Sequence, residues 1–113
     1  MAAKRVFPED PLNFIRECVN ERKILWTYHV NMRMVARCIT REMVLESVTD
    51  YEIIESYPED KYLPSYLVLA RYGNMLFHIL VATDVSNENV RIVTTYHPDP
   101  QLWSEDFKRR KNP

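Results

Sequence analysis

The order of hydrophobic patterns along this chain predicts an α+β domain, with helices first and a mostly antiparallel sheet after them. Three observations carry the prediction. Apolar residues recur at helical spacing up to about residue 48. From Tyr51 onward the apolar runs become short and β-branched, bounded by Pro, Asp and Asn. Successive runs are joined by short connections, which favours neighbouring strands that pair in sequence order.

Asp10-Pro11 reads as an N-cap with proline at the first helical position. Leu12, Ile15, Cys18 and Val19 then make an apolar stripe flanked by Phe14, so a first helix runs to about Arg22. Ile24-Leu25-Trp26-Thr27 is short and apolar, either a strand or a connector. Thr27 caps a second helix over Tyr28 to Arg37, with Met32, Val35 and Ala36 on its inner side and Met34 near the edge. Thr40 caps a third helix, in which Glu42 complements the helix dipole and Met43, Val44 and Val48 face inward beside Leu45.

Strands follow at Tyr51–Tyr57, Ser65–Tyr72, Met75–Thr83 and Val90–Tyr96. Gly73-Asn74 forms a two-residue turn in which the only glycine supplies positive φ. The expected architecture is two to three N-terminal helices on one face of a four-stranded, mostly antiparallel sheet. The core domain spans 24–103, preceded by an N-terminal extension helix over 1–23 and followed by a polar basic tail over 104–113. Trp103 is expected to fold back over the core.

The chain has 113 residues, enough for one domain that buries a core without staples. Fifteen basic residues against sixteen acidic leave a net charge of −1, which excludes a uniformly basic nucleic-acid binder and requires any such contact to be local. Arg33, Arg37 and Arg41 make one local group and Lys108-Arg109-Arg110-Lys111 another, the latter a candidate nucleic-acid contact. Cys18 and Cys38 are too few for a disulfide framework and fit a reducing compartment. With no signal-type run and no membrane-length apolar stretch, the reading is cytoplasmic, with no membrane partner. One glycine cannot build a phosphate loop, and histidines at 29, 78 and 97 make a poor zinc set, so neither cofactor nor metal is expected.

Five polar residues on otherwise apolar elements are the candidate site. His29, Arg33 and Arg37 lie at i, i+4, i+8 and share one helix face. His29, at the helix start, is held toward the neutral base by the dipole, and the arginines can grip a phosphate with paired N–H donors. The plainer reading is a capped histidine and a solvated charged face. His78 alternates with Leu76 and Leu80 on one side of its strand, with Phe77 and Ile79 on the other. It is either a catalyst at an open sheet face or a satisfied core group. Tyr96 shares a face with Ile92 and Thr94, and either orients a ribose or phosphate or simply covers a strand end.

Several segments resemble, in order, an uncharacterised bacterial domain family, number 4258. They are Tyr28-His29-Val30-Asn31-Met32-Arg33-Met34-Val35-Ala36-Arg37-Cys38-Ile39-Thr40, Glu52-Ile53-Ile54-Glu55-Ser56-Tyr57-Pro58-Glu59-Asp60, Pro64 to Leu69, Phe77 to Ala82, and Thr94-Thr95-Tyr96-His97-Pro98-Asp99 with Trp103. The resemblance spans residues 26 to 103. Two departures are Cys38, where many relatives have glycine, and the helix before Trp26. The resemblance implies a fold similar to RelE and MqsR toxins, of RelE/barnase type. It also implies a metal-independent endoribonuclease of a toxin–antitoxin system, with RNA as substrate and a small zinc-finger or helix-turn-helix antitoxin as partner. His29, Arg33, Arg37, His78 and Tyr96 would be its catalytic set. The alternative is a non-catalytic protein-interaction module of the same fold.

Overall fold

A computed structural model describes residues 5–111; the parts of the predicted extension and tail at 1–4 and 112–113 lie outside the described residues. The chain runs α1 (Pro11–Asn20), β1 (Ile24–Trp26), α2 (Tyr28–Ala36), α3 (Arg41–Glu46), a 3₁₀ turn (Ser47–Asp50), then β2 (Glu52–Tyr57), β3 (Ser65–Tyr72), β4 (Met75–Asp84) and β5 (Asn89–Tyr96).

The α+β order and the mostly antiparallel pairing are as expected, but the sheet has five strands, not four, and one parallel pair makes it mixed. Its order is β1-β5-β4-β3-β2. β2 to β5 form the antiparallel meander. The Ile24–Trp26 segment, legible as strand or connector, is a strand lying parallel to β5 through Ile24↔Val90, Leu25↔Arg91 and Trp26↔Ile92. Its partner is more than sixty positions away, a pairing that local pattern cannot reveal.

The helices begin and end for local chemical reasons. Asp10 accepts from Asn13 N–H at 3.1 Å, Thr27 from Val30 N–H at 3.1 Å and Thr40 from Met43 N–H at 3.0 Å, each filling an orphan donor of the first turn. α2 ends in a Schellman arrangement. Cys38 N–H donates to Val35 at 3.3 Å and Ile39 N–H to Met34 at 3.0 Å, with Cys38 at φ +58°. A side chain in that left-handed region is strained, and glycine is not. Cys38→Gly is therefore expected to raise stability by about 0.5–1 kcal/mol in urea unfolding; a loss would show that the Cys38 side chain contributes packing that outweighs the strain.

One sheet face carries the main core. Phe77, Ile79 and Val81 of β4, Tyr66, Val68 and Ala70 of β3, and Val90 and Ile92 of β5 pack with Ile15, Cys18 and Val19 of α1, Val30 and Met34 of α2, and Met43, Val44 and Val48. Arg16 ties α1 to the 3₁₀ turn by donating to the carbonyls of Val48, Thr49 and Tyr51 at 3.3, 3.2 and 3.0 Å. Tyr51 O–H donates to Val44 at 2.6 Å.

The inner face predicted for α2 is corrected. Val30 and Met34 are buried, whereas Met32 and Val35 are exposed. α2 is apolar on two sides, so helical period alone could not choose between them. The choice is made by what the helix is tied to, since Trp26 before it packs on the core and Ile39 after it is buried there.

The opposite sheet face is covered by the C-terminal segment. Trp103 is buried as expected and bridges to Arg110; Ser104 N–H donates to Arg109 and Lys111 N–H to Leu102, both at 2.8 Å. The segment predicted as a polar tail is pinned to β2 by Lys108–Glu52 at 3.1 Å and Arg110–Glu55 at 2.8 Å.

Candidate functional site

Strand alternation puts Glu55 and Tyr57 of β2, Leu67 and Leu69 of β3, Leu76, His78 and Leu80 of β4, and Thr94 and Tyr96 of β5 on the face away from the helices. The phase of β5 depends on a register shift between Leu80 and Val81, which pair with Thr94 and Ile92. Val93 is the extra residue. The bulge corrects the expectation that Tyr96 shares a face with Ile92, because Ile92 faces the helices while Thr94 and Tyr96 face the other way.

His78 and Tyr96 are cross-strand partners. His78 is 0% exposed, as a core position requires, and both ring nitrogens are engaged. Nε2 lies 2.9 Å from the Phe107 carbonyl, which can only accept, so the proton sits on Nε2. Nδ1 is then an acceptor, and the Tyr96 hydroxyl 3.1 Å away donates to it. Trp103 meets the His78 ring edge to face at 4.5 Å between centroids. Burial pushes the His78 pKa below its ordinary value, so the neutral ring is the stable form. Burial also raises the Tyr96 phenol.

Beside this pair lies a charged group. Arg110 donates to both oxygens of Glu55, at 2.8 and 3.1 Å, and the Tyr57 hydroxyl donates to the same carboxylate. Burial alone would raise the Glu55 carboxyl, but the bonds from Arg110 and Tyr57 outweigh it and hold it below the ordinary value. Arg110 is driven upward by the Glu55 hydrogen bond, and its guanidinium also stacks 4.7 Å over Trp103. A groove of about 280 Å³ opens here, lined by Leu67 and Leu80 and by Tyr57, Asp60, Thr94, Tyr96 and Arg110.

The five residues singled out from the sequence divide between the two sides of the molecule. His78 and Tyr96 meet as described. His29 and Arg33 are exposed on α2, on the helical side, and do not reach the groove. Arg37 stands between. Capping α2, it turns to the open margin of β5 and donates to the Thr95 carbonyl and, at 3.4 Å, to Thr94 Oγ1. His97 donates to the Arg37 carbonyl at 2.9 Å. The spatial convergence of the helix stripe with His78 is thus not found, because His78 alternates away from the helices. Glu55 and Tyr57 were not among the candidates; their signal is a charge and a phenol two apart within one strand. Arg110 was noted only as one of four consecutive basic residues forming a candidate nucleic-acid contact, not as a partner of β2.

Among the described residues no three His, Cys, Asp or Glu side chains gather as a metal site would need, and no helix is long and apolar enough to cross a membrane. Cys18 is a buried free thiol; Cys38 is exposed.

Fold and site together define a small α+β domain with one helical layer and a buried histidine–tyrosine pair on the opposite sheet face. A family model described as a domain of unknown function, DUF4258, matches residues 26–97, and the chain belongs to that family. The match takes in α2, the whole sheet but for the first two residues of β1, and both members of the pair, while α1 and the C-terminal cover lie outside it. No curated protein and no solved structure matches the chain.

Proposed function

We propose that this domain is a metal-independent endoribonuclease of toxin type, RelE-like in architecture, acting on RNA at the groove on the helix-free sheet face. The observation that carries the reading is the Tyr96 hydroxyl. It sits at the groove wall, hydrogen-bonded to a neutral His78 whose tautomer is fixed by Phe107. A 2′-hydroxyl passes its proton to Tyr96 as Tyr96 passes its own to His78 Nδ1. The 2′-oxygen attacks the adjacent phosphorus, the P–O5′ bond breaks, and the 5′-oxygen takes a proton from water in the open groove. Arg110, already at the groove, faces the charge that develops on the phosphate oxygens. Arg37 at the β5 margin is placed to position the flanking backbone. In this reading the protein acts in the cytoplasm, held in check by a small zinc-finger or helix-turn-helix antitoxin, and His29 and Arg33 take no part in the chemistry.

A second reading, a non-catalytic interaction module of the same fold, is favoured by the complete burial of His78 and the occupation of both its nitrogens.

Cleavage of naked RNA and of ribosome-bound message in EDTA separates the two. Tyr96→Phe and Arg110→Ala are each expected to slow cleavage by about 10²-fold or more, and Arg33→Ala by less than about twofold. Absence of cleavage of either substrate by the unmodified protein would sink the enzymatic reading.

A further inference from the structure

The outward side of α2 is apolar and uncovered. Tyr28, Met32 and Val35, at i, i+4, i+7, are 74%, 57% and 82% exposed and form one stripe opposite the buried Val30 and Met34. Single exposed apolar residues are ordinary; a continuous stripe backed by a groove is not. Val35 continues into a groove of about 440 Å³ between the end of α2 and the start of α3. It is lined by Met34, Cys38 and Ile39, with Asn31 and Arg41 at its rim.

Basic residues predominate around this surface, although Lys23 pairs with Glu21 and Glu42 follows Arg41. Residues 22 to 41 contain Arg22, Lys23, Arg33, Arg37 and Arg41 and no Asp or Glu, although the chain as a whole is slightly acidic. Arg33 is exposed, and Arg41 is exposed while held in place by Asn31 Oδ1 at 2.9 and 3.2 Å and by stacking 4.8 Å from the Trp26 ring centroid. Neither takes part in an ion pair among the described residues. Arg41 is therefore pre-oriented beside the groove with its charge uncompensated.

We infer that the Tyr28–Met32–Val35 stripe and the adjoining groove form a docking surface for an acidic amphipathic helix of a partner protein. Apolar side chains of that helix would fill the groove, and its flanking carboxylates would meet Arg33 and Arg41. The aliphatic Met32 and Val35 argue for a protein rather than a nucleic acid, since they offer neither stacking nor phosphate contacts. The surface lies on the helical side, away from the groove of Tyr96 and Arg110, and the inference does not depend on catalysis there.

The probe is a synthetic helical peptide of about 18 residues, some five turns, with leucines at i, i+3, i+4, i+7 and glutamates beside them. It is titrated into the full chain by fluorescence anisotropy. Saturable binding is expected, with a charge-reversed lysine peptide and a scrambled acidic peptide at least about tenfold weaker. Val35→Asp, at an exposed position that leaves the core intact, should weaken it at least about tenfold. Arg33→Glu with Arg41→Glu should do the same and flatten its salt dependence. Equal binding of the scrambled peptide, indifference to Val35→Asp, or no saturable binding would overturn the inference. So would self-association abolished by Val35→Asp, which would make the occupant a second copy, or displacement of the peptide by a single-stranded RNA oligonucleotide that binds equally well to the Arg33→Glu, Arg41→Glu protein.

Discussion

Replacing Trp103 by alanine is expected to lower the unfolding free energy by about 3–5 kcal/mol and the midpoint of thermal unfolding by roughly 10–20 °C. The residue is 3% exposed, buried over the sheet as the sequence predicted. It contacts the His78 ring on one side and the Arg110 guanidinium on the other, and its backbone N–H is held by the Asp99 carbonyl at 3.0 Å. Removing it leaves a void beside His78 and loosens the Arg110–Glu55 pair together with the Phe107 carbonyl that fixes the His78 tautomer. Trp103→Phe, which keeps an aromatic contact, should recover more than half of the loss. Urea unfolding of both variants checks this. A loss below about 1 kcal/mol for the alanine variant would mean that the C-terminal cover contributes little to the fold.

The second large effect is a dependence of stability on pH that runs through His78. Its folded-state pKa lies below the ordinary value near 6.5 because burial disfavours the charged ring. Below that value the unfolded chain binds a proton that the folded chain does not, so ν_U exceeds ν_N and stability rises with pH. The contribution is complete above about pH 7 and is lost as pH falls toward the folded pKa. The slope is positive in the interval between the lowered folded-state value and the ordinary one, and about 1.4 kcal/mol per pH unit is its limit for one proton. Glu55, also lowered, adds its own loss in a separate and more acid window, below the ordinary 4.5. Urea unfolding at half-unit steps from pH 5 to pH 8 should show the His78 component, and His78→Gln should remove it. A slope in that range that survives the substitution would assign it to another group.

Much of the fold could be read from local chemistry. Asp10, Thr27 and Thr40 announced the three helix starts, and Gly73-Asn74 the β3–β4 turn, because caps and tight turns are decided within four residues. Helix faces were legible where only one side was apolar, as with Ile15, Cys18 and Val19. They were not legible in α2, where Val30 and Met34 compete with Met32 and Val35. Non-local features were the ones missed. The parallel pairing of Trp26 with Ile92 and the bulge at Val93 belong to the assembled sheet, and the second of these reverses which side Tyr96 faces. The candidate site was half legible for the same reason. His78 and Tyr96 stood out as polar residues in apolar strands, while Glu55 and Arg110 gain meaning only when a basic C-terminal run folds back against β2.

The short reach of β1 has a consequence for solubility. β1 pairs only with Val90–Ile92, so among the described residues β5 from Val93 onward has no neighbouring strand on that side. An unpaired β margin invites the matching margin of another molecule, and from there fibrous growth. Arg37 meets the Thr95 carbonyl at this margin and sets a cation where an incoming strand would have to align. The same arginine that the sequence suggested for gripping phosphate thus acts as a gatekeeper, keeping the molecule's most β-branched strand from recruiting copies of itself.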